Sequence, residues 1–326
     1  MTGRASARRL IAAALLAAAV GALLVAKFAP AAHTREPRPL SVRAPSPAPC
    51  GTLALSSVHY THVVWVWMEN HSEEEIIGSR QAPYINSLAS ACGLASNYHN
   101  ISHPSLPNYI AATSGLPPAS LAPFASDCGP KRKCRTAEAS IFGQVASWHA
   151  YEESMPKNCD RRNKLQYAVR HDPPPYYTSL GGCAANDVPY TQLARDLSQA
   201  TLPAFSFITP NLADDMHDGS IAQGDSWLSA NLPAILQSSA YRAGNVVVFV
   251  TWDEGEGGSS NECAANTSDV GCHVATIVVS PSTAAGSNSS QLFNHYSLLR
   301  SSEQLLGVAA LGEAASAPSM LSAFNL

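Results

Sequence analysis

The chain has 326 residues, 46% of them hydrophobic and only 13% charged, with a net charge of −4. That apolar content excludes a disordered chain and supports a sizeable core. The mild negative balance excludes a protein that engages nucleic acid or an acidic membrane through its overall charge.

The opening segment MTGRASARRL carries Arg4, Arg8 and Arg9 without an acid, and residues 11–26 follow with no charge at all. A basic start, an apolar stretch and the small residues Ala29, Ala31 and Ala32 predict a secretory signal over 1–32. The apolar stretch borders on bilayer length and Lys27 follows it directly, so an uncleaved N-terminal membrane anchor is the alternative. Both predict an exported protein, secreted or tethered, whose contact with a membrane is confined to this segment. Residues 33–49 are polar and proline-rich, the composition of a linker without a core. Residues 50–326 are expected to form one folded domain.

Eight cysteines follow the linker, an even number in an exported chain, which predicts disulfides. A zinc cluster is the competing use, but no CxxC spacing occurs. Local spacing suggests Cys128–Cys134 and Cys263–Cys272, then Cys50–Cys92 and Cys159–Cys183.

Along the domain, strand-like apolar runs (62–68, 205–209, 245–252 and 273–280) alternate with helix-like stretches. The helix-like stretches are APYINSLASAC, SIFGQVASWHAY, TQLARDLSQA, GDSWLSANLPAILQSS and SLLRSSEQLLGV. Strands this uniformly apolar are buried on both faces, so the pattern predicts a three-layer α/β/α sandwich with a mostly parallel sheet. Trp65 and Trp67 are then core residues.

Ligands of such sheets bind at the carboxyl ends of the strands. The first run ends on Glu69 and Asn70, and the run VVVFVTW ends on Asp253 and Glu254. Three carboxylates on one rim repel unless a cation neutralises them, so Glu69, Asp253 and Glu254 are candidate metal ligands. Carboxylate and amide donors suit Ca, Mg or Mn; added histidine favours Zn or Fe. Each acidic pair could equally cap a strand end.

HNISHPSLPNYIAATSG places Ser105 just ahead of a predicted helix that stops at Gly115. A serine there is a capping residue or, with helix amides and a cation nearby, a nucleophile. His103, two residues earlier, is loop filler or a phosphate contact. After the strand FSFIT, the segment DDMHD offers His217 as a general acid or phosphate ligand. Asp214 or Asp215 with His217 is the candidate second metal or phosphate contact, against an Asx-rich turn. His171, in the proline-rich VRHDPPPYY with Tyr176 and Tyr177, reads as a surface loop that shapes the pocket. His273 reads as a structural partner.

WMENHS, HPSLPNYIAATSG, DDMHDGSIAQGDSWL, VVVFVTWDEGEGG and FNHYS together resemble the bacterial exported phosphoesterases of the acid phosphatase and phospholipase C type. The likeness runs in order from about residue 60 to the end of the chain. It is closest to the short single-domain acid phosphatases and phosphatidylinositol 3-phosphatases. The resemblance implies an alkaline-phosphatase-like fold over 50–326 and hydrolysis of phosphate monoesters through a phosphoserine. It implies metal binding by Glu69, Asp253 and Glu254, with Asn70, His103 and Asn108 at the substrate phosphate. Ser105 becomes the nucleophile, and His217 or His295 the general acid. Ser102, Thr113 and Ser114 are rival hydroxyls. The expected partner is a phosphate ester, with a phosphoinositide or other lipid phosphate among the candidates. The alternatives are a phospholipase C-type diesterase and, from another class, a non-catalytic envelope or binding protein on the same scaffold.

Overall fold

The computed structural model describes residues 48–257, 262–264, 266 and 268–326. The expected signal or anchor and all but the last two residues of the linker lie outside the described residues. The strands are β1 (His62–Met68), β2 (Gly93–Ala95), β3 (Tyr98–His99), β4 (Trp148–Glu152), β5 (Asp187–Pro189), β6 (Phe205–Thr209), β7 (Val246–Trp252), β8 (Thr276–Val279), β9 (Ser287–Ser289) and β10 (Phe293–Asn294). Helices of eight or more residues are α1 (Pro83–Ala91), α2 (Ser105–Ser114), α3 (Gln192–Gln199), α4 (Ile221–Leu236) and α5 (His295–Leu305).

One eight-stranded sheet runs in the order β5-β4-β6-β1-β7-β8-β2-β9, and β10 pairs with β3 apart from it. The pairs from β5 to β7 are parallel, and β8 runs antiparallel between β7 and β2. Every residue of β6 and β7 is buried, as is β1 from Val63 onward, which is why these strands carry no polar alternation. On one side α1, α3 and α4 pack together; on the other α2 packs against α5. This is the expected α/β/α sandwich. α2 stops at Gly115 (φ 70°), where a Cβ would lie 2.2 Å from the Leu311 carbonyl oxygen, so only glycine fits.

One expected element is different. The stretch SIFGQVASWHAY forms a single turn, Ile141–Gln144, and then enters β4. Its apolar spacing suits a helix, but Trp148, Ala150 and Tyr151 are buried where β4 fills the sheet between β5 and β6. Tertiary pairing overrides local propensity here. Disulfides join Cys50 to Cys92, Cys128 to Cys134, Cys159 to Cys183 and Cys263 to Cys272.

The end of β4 holds an acidic knot. Glu152, Asp172 and Asp187 are fully buried together, and Asp172 Oδ1 and Asp187 Oδ1 have no hydrogen-bond partner. Burial, then mutual repulsion, holds Glu152 and Asp187 well above the carboxylate range, and burial lifts Asp172 to about 7. Folded-state values above the unfolded ones favour the protonated, folded form. The stabilisation is therefore present at acid pH and is lost as pH rises towards 7. D187N, which replaces a carboxyl that ionises only on unfolding by a neutral amide, is expected to raise the melting temperature by about 2–4 °C at pH 7 and less at pH 5. Equal changes at both pH values in a thermal melt would remove this account.

Candidate active site

Side chains alternate along β1, so Val63, Trp65 and Trp67 share a face. Trp65 Nε1 donates to Ser302 Oγ on α5 (2.9 Å), and the Trp67 ring lies 4.9 Å from that of Tyr109 on α2. Glu69 continues that face past the end of β1 and therefore meets the start of α2. Ser105 Oγ donates to Glu69 Oε2 (3.0 Å), and Tyr109 Oη donates to Glu69 Oε1. The register of the parallel pair sets Met68 beside Trp252, so Glu69 and Asp253 follow side by side. The next residue, Asn70, turns through the left-handed region (φ 51°), a conformation asparagine tolerates better than most residues. Its backbone N–H donates to Asp253 Oδ1 (3.1 Å). Its carboxamide lies against the acids, and the orientation that satisfies both groups turns the nitrogen to them, donating to Glu69 Oε2 (3.0 Å) and Asp253 Oδ1 (3.2 Å). Glu254 Oε1 lies 3.5 Å from Ser105 Oγ, and Glu254 Oε2 lies 2.7 Å from His103 Nδ1.

The segment after β6 adds a fourth acid. Asp215 is buried, its carbonyl accepts the Glu69 N–H (2.8 Å), and its Oδ1 accepts the His217 N–H (2.7 Å). Met216 between them sits at φ 87°, a strained backbone for a residue with a side chain. That turn holds Asp215 and His217 to the same rim.

His171 is the residue that sequence reasoning misjudged. It is 2% exposed, stacks parallel to the Tyr109 ring, and stands with Nε2 3.3 Å from Glu69 Oε2 and Nδ1 3.3 Å from Asp215 Oδ2. It is no surface loop. Burial, then the nearby Arg170 and His217, keeps its imidazole well below the usual range and so neutral. Arg170 was missed entirely. Its guanidinium reaches His217 Nε2 (2.9 Å) and lies 3.8 Å from Asp127 Oδ2. The adjacent Arg-His pair in a chain with few charges was the only available signal.

Three other candidates are corrected by the geometry. Asn108 is consumed by the loop before it: its Oδ1 accepts the N–H groups of Ile101 and Ser102, and its Nδ2 donates to the Ser102 carbonyl. It shapes the Ser105 loop and does not face a ligand. His295 has both ring nitrogens engaged, Nε2 with the Asp253 carbonyl (2.8 Å) and Nδ1 with Tyr98 Oη (3.0 Å). With both nitrogens so engaged it supports Asp253 from behind, and burial lowers it to about 4. Asp214 turns outward to Asn211 and Gln223. Among the rival hydroxyls, Ser102, Thr113 and Ser114 donate to backbone carbonyls. Ser105 is the one directed at the acids, and it is the first residue of α2 rather than its cap. The Leu106 N–H at that helix end is taken by Asp127 Oδ1 (2.9 Å). His273 bonds Glu74 and the Ser96 carbonyl, a structural contact.

Glu69, Asp215, Asp253 and Glu254 are all raised above the carboxylate range, first by burial; Asp253 and Asp215 then add to the rise at Glu69. Asp253 Oδ2, Asp215 Oδ2 and the Nε2 atoms of His103 and His171 are buried without a hydrogen-bond partner. Buried acceptors with no donor are what a divalent cation satisfies. The donors fit one: carboxylates around Ser105, and a group of Glu69, His171 and His217 whose ligand atoms all lie within 4.8 Å of one another. The second group is richer in nitrogen than expected and suits Zn or Fe better than Ca or Mg.

The Phosphoesterase family profile matches residues 78–309. The chain belongs to the phosphoesterase family. This phosphoesterase is 32% identical over 273 residues to the phosphatidylinositol-3-phosphatase of Mycobacterium tuberculosis, covering 82% of the present chain and 84% of that one. It is 27% identical over 270 residues to the phosphate-repressible acid phosphatase of Penicillium chrysogenum, covering 78% of itself and 60% of the fungal protein. It superposes on a Vibrio parahaemolyticus protein of the alkaline phosphatase superfamily with a TM-score of 0.53 at 14% identity, over 81% of this chain and 72% of that one. That last likeness establishes the alkaline-phosphatase-like fold.

Proposed function

We propose that this hydrolase of phosphoric ester bonds is an exported, metal-dependent phosphomonoesterase that works through a phosphoserine at residue 105, with a lipid or other organic phosphate as substrate. Residues 50–326 form the catalytic domain of this proposal. The carrying observation is the Ser105 hydroxyl, 3.0 Å from Glu69 within a ring of acids, with the Arg170 guanidinium at His217 on the same rim. The basic N-terminal segment and the four disulfides support export. The similarity to a phosphatidylinositol-3-phosphatase supports a phosphoinositide among the substrates.

Glu69, Asp253 and Glu254 would hold one cation, and His171 with His217 would contribute to another. Bound there, the metal supplies charge neutralisation and acidifies the serine hydroxyl. Ser105 Oγ attacks phosphorus as its proton passes to Glu69 Oε2, and the bond from phosphorus to the ester oxygen breaks. His217 Nε2 accepts the Arg170 guanidinium N–H and Nδ1 is held by Asp218 (2.8 Å), so the departing alcohol takes its proton from water. Water then attacks the phosphoserine, and inorganic phosphate leaves as Ser105 recovers its proton. Arg170 and the unpartnered His103 Nε2 meet charge on the phosphoryl oxygens, while Asn70, with its N–H groups on Glu69 and Asp253, holds those acids in place.

Arg170 supports the monoester over the diester, because a dianion gains more from a fixed guanidinium than a monoanion does. R170Q is expected to lower kcat/KM for p-nitrophenyl phosphate by about 10²-fold. The loss on bis(p-nitrophenyl) phosphate should be much smaller. Parallel losses, or a wild type faster on the diester, would move the assignment to a phospholipase C-type enzyme.

A further inference from the structure

The described domain places its positive charge unevenly. Lys131, Arg132 and Lys133 are consecutive and exposed on the loop closed by the Cys128–Cys134 disulfide. In the segment 161–166, RRNKLQ, every residue is exposed and none is acidic. At its tip Leu165 is 89% exposed, the most exposed large hydrophobic side chain among the described residues. The tip is not a frayed end. Lys164 and Tyr167 exchange backbone hydrogen bonds (3.0 and 2.9 Å), and Asn163 Oδ1 accepts the Val169 N–H (2.9 Å). The buried Tyr167 hydroxyl anchors the turn to the Asp160 carbonyl and Asp172. Leu165 itself lies at φ 52°, an unfavourable conformation for leucine. A rigid turn thus pushes an apolar side chain into water between basic neighbours.

Both loops spring from the site. Asp127, beside Arg170, leads directly into Cys128, and Tyr176 Oη donates to the Cys128 carbonyl (2.8 Å). The turn at 161–166 leads within a few residues into Arg170 and His171, and its Gln166 carbonyl accepts the Leu212 N–H beside the Asp215–His217 segment (2.9 Å). With a net charge of −4 for the whole chain, these cations are a local feature.

We propose that the 161–166 turn and the 129–133 loop dock this enzyme on an anionic lipid bilayer, with Leu165 entering the interface and the Ser105 site brought to the headgroups. Charge complementarity selects the occupant: each basic side chain near such a surface strengthens binding about fivefold, and an apolar tip adds insertion that an acidic protein surface would not require. That the headgroup is also a substrate rests on the phosphatase reading; the docking does not.

The test is the full chain carrying L165W. The five native tryptophans are all buried, so the new indole reports the tip alone, independently of the N-terminal segment. Its emission is expected to shift to the blue with phosphatidylcholine vesicles containing phosphatidylserine at low salt, and not with phosphatidylcholine alone. The shift should vanish when R161E, R162E and K164E are added. Soluble p-nitrophenyl phosphate should be hydrolysed at the same rate by all these forms. No shift on anionic vesicles, an equal shift on neutral ones, or a shift only with polyglutamate would overturn the proposal, the last in favour of an acidic protein. A shift without any soluble hydrolysis by the wild type would leave the docking intact and remove the phosphatase reading.

Discussion

Ser105→Ala is expected to lower p-nitrophenyl phosphate hydrolysis by at least about 10³-fold, the scale on which removing a covalent nucleophile acts. Folding should be nearly unaffected. Ser105 is 2% exposed, but alanine fits its volume, and Glu69 keeps Tyr109 and Asn70 as donors when the serine hydroxyl is gone. The measurement is a pair: turnover, and a thermal melt of the same preparation. A stable variant with wild-type turnover would transfer the nucleophile to another group, and the neighbouring hydroxyls are poor substitutes. Ser102, Thr113 and Ser114 each donate to a carbonyl and would have to break that bond to attack. Trapping of radiolabelled phosphate by acid quench should label the wild type and not the variant.

Asp253→Asn carries the second large effect. Asp253 neighbours Glu69 across β1 and β7, lies next to Glu254, and has Oδ2 buried without a partner. Asparagine preserves shape and can still accept the Asn70 N–H, but it removes one of the charges that call for a cation. Turnover is expected to fall by about 10²–10³-fold, and elemental analysis should find less bound metal than in the wild type. Stability supplies a readout independent of activity. With chelator present, burial and mutual repulsion leave the acids with folded-state values above the unfolded ones, which costs stability at neutral pH. D253N should then melt at a higher temperature than the wild type in chelator, and at a lower one with metal restored. A wild type that contains no metal and keeps its rate in chelator would end the metal assignment, leaving Arg170 and the histidines to meet the phosphoryl charge.

How far the site could be read in advance depended on the kind of information each residue carries. Glu69, Asn70, Asp253 and Glu254 were legible because each pair ends a uniformly apolar strand, and a parallel sheet gathers strand ends on one edge. Ser105 was legible because prolines and Gly115 bracket its helix. His171, Arg170 and His295 were not, because they sit in loops or at an element end where residue type says little about direction. Asn108 was not, because a side chain in the first turn of a helix can bond the preceding loop as readily as a ligand. A histidine can face the ligand, as His171 does, or spend both nitrogens on its own scaffold, as His295 does.

The sequence alone determined the alternation of buried strands with amphipathic helices, and therefore the sandwich, because hydrophobic periodicity is a local property that burial enforces. It also determined which strand ends carry acid. The tertiary structure decided that β4 is a strand, since its place between β5 and β6 outweighs a helix-like spacing. It decided which side chains converge on Ser105 as well. That convergence depends on strand register and on where each loop's backbone hydrogen bonds are satisfied, and neither is encoded in any short stretch of the chain.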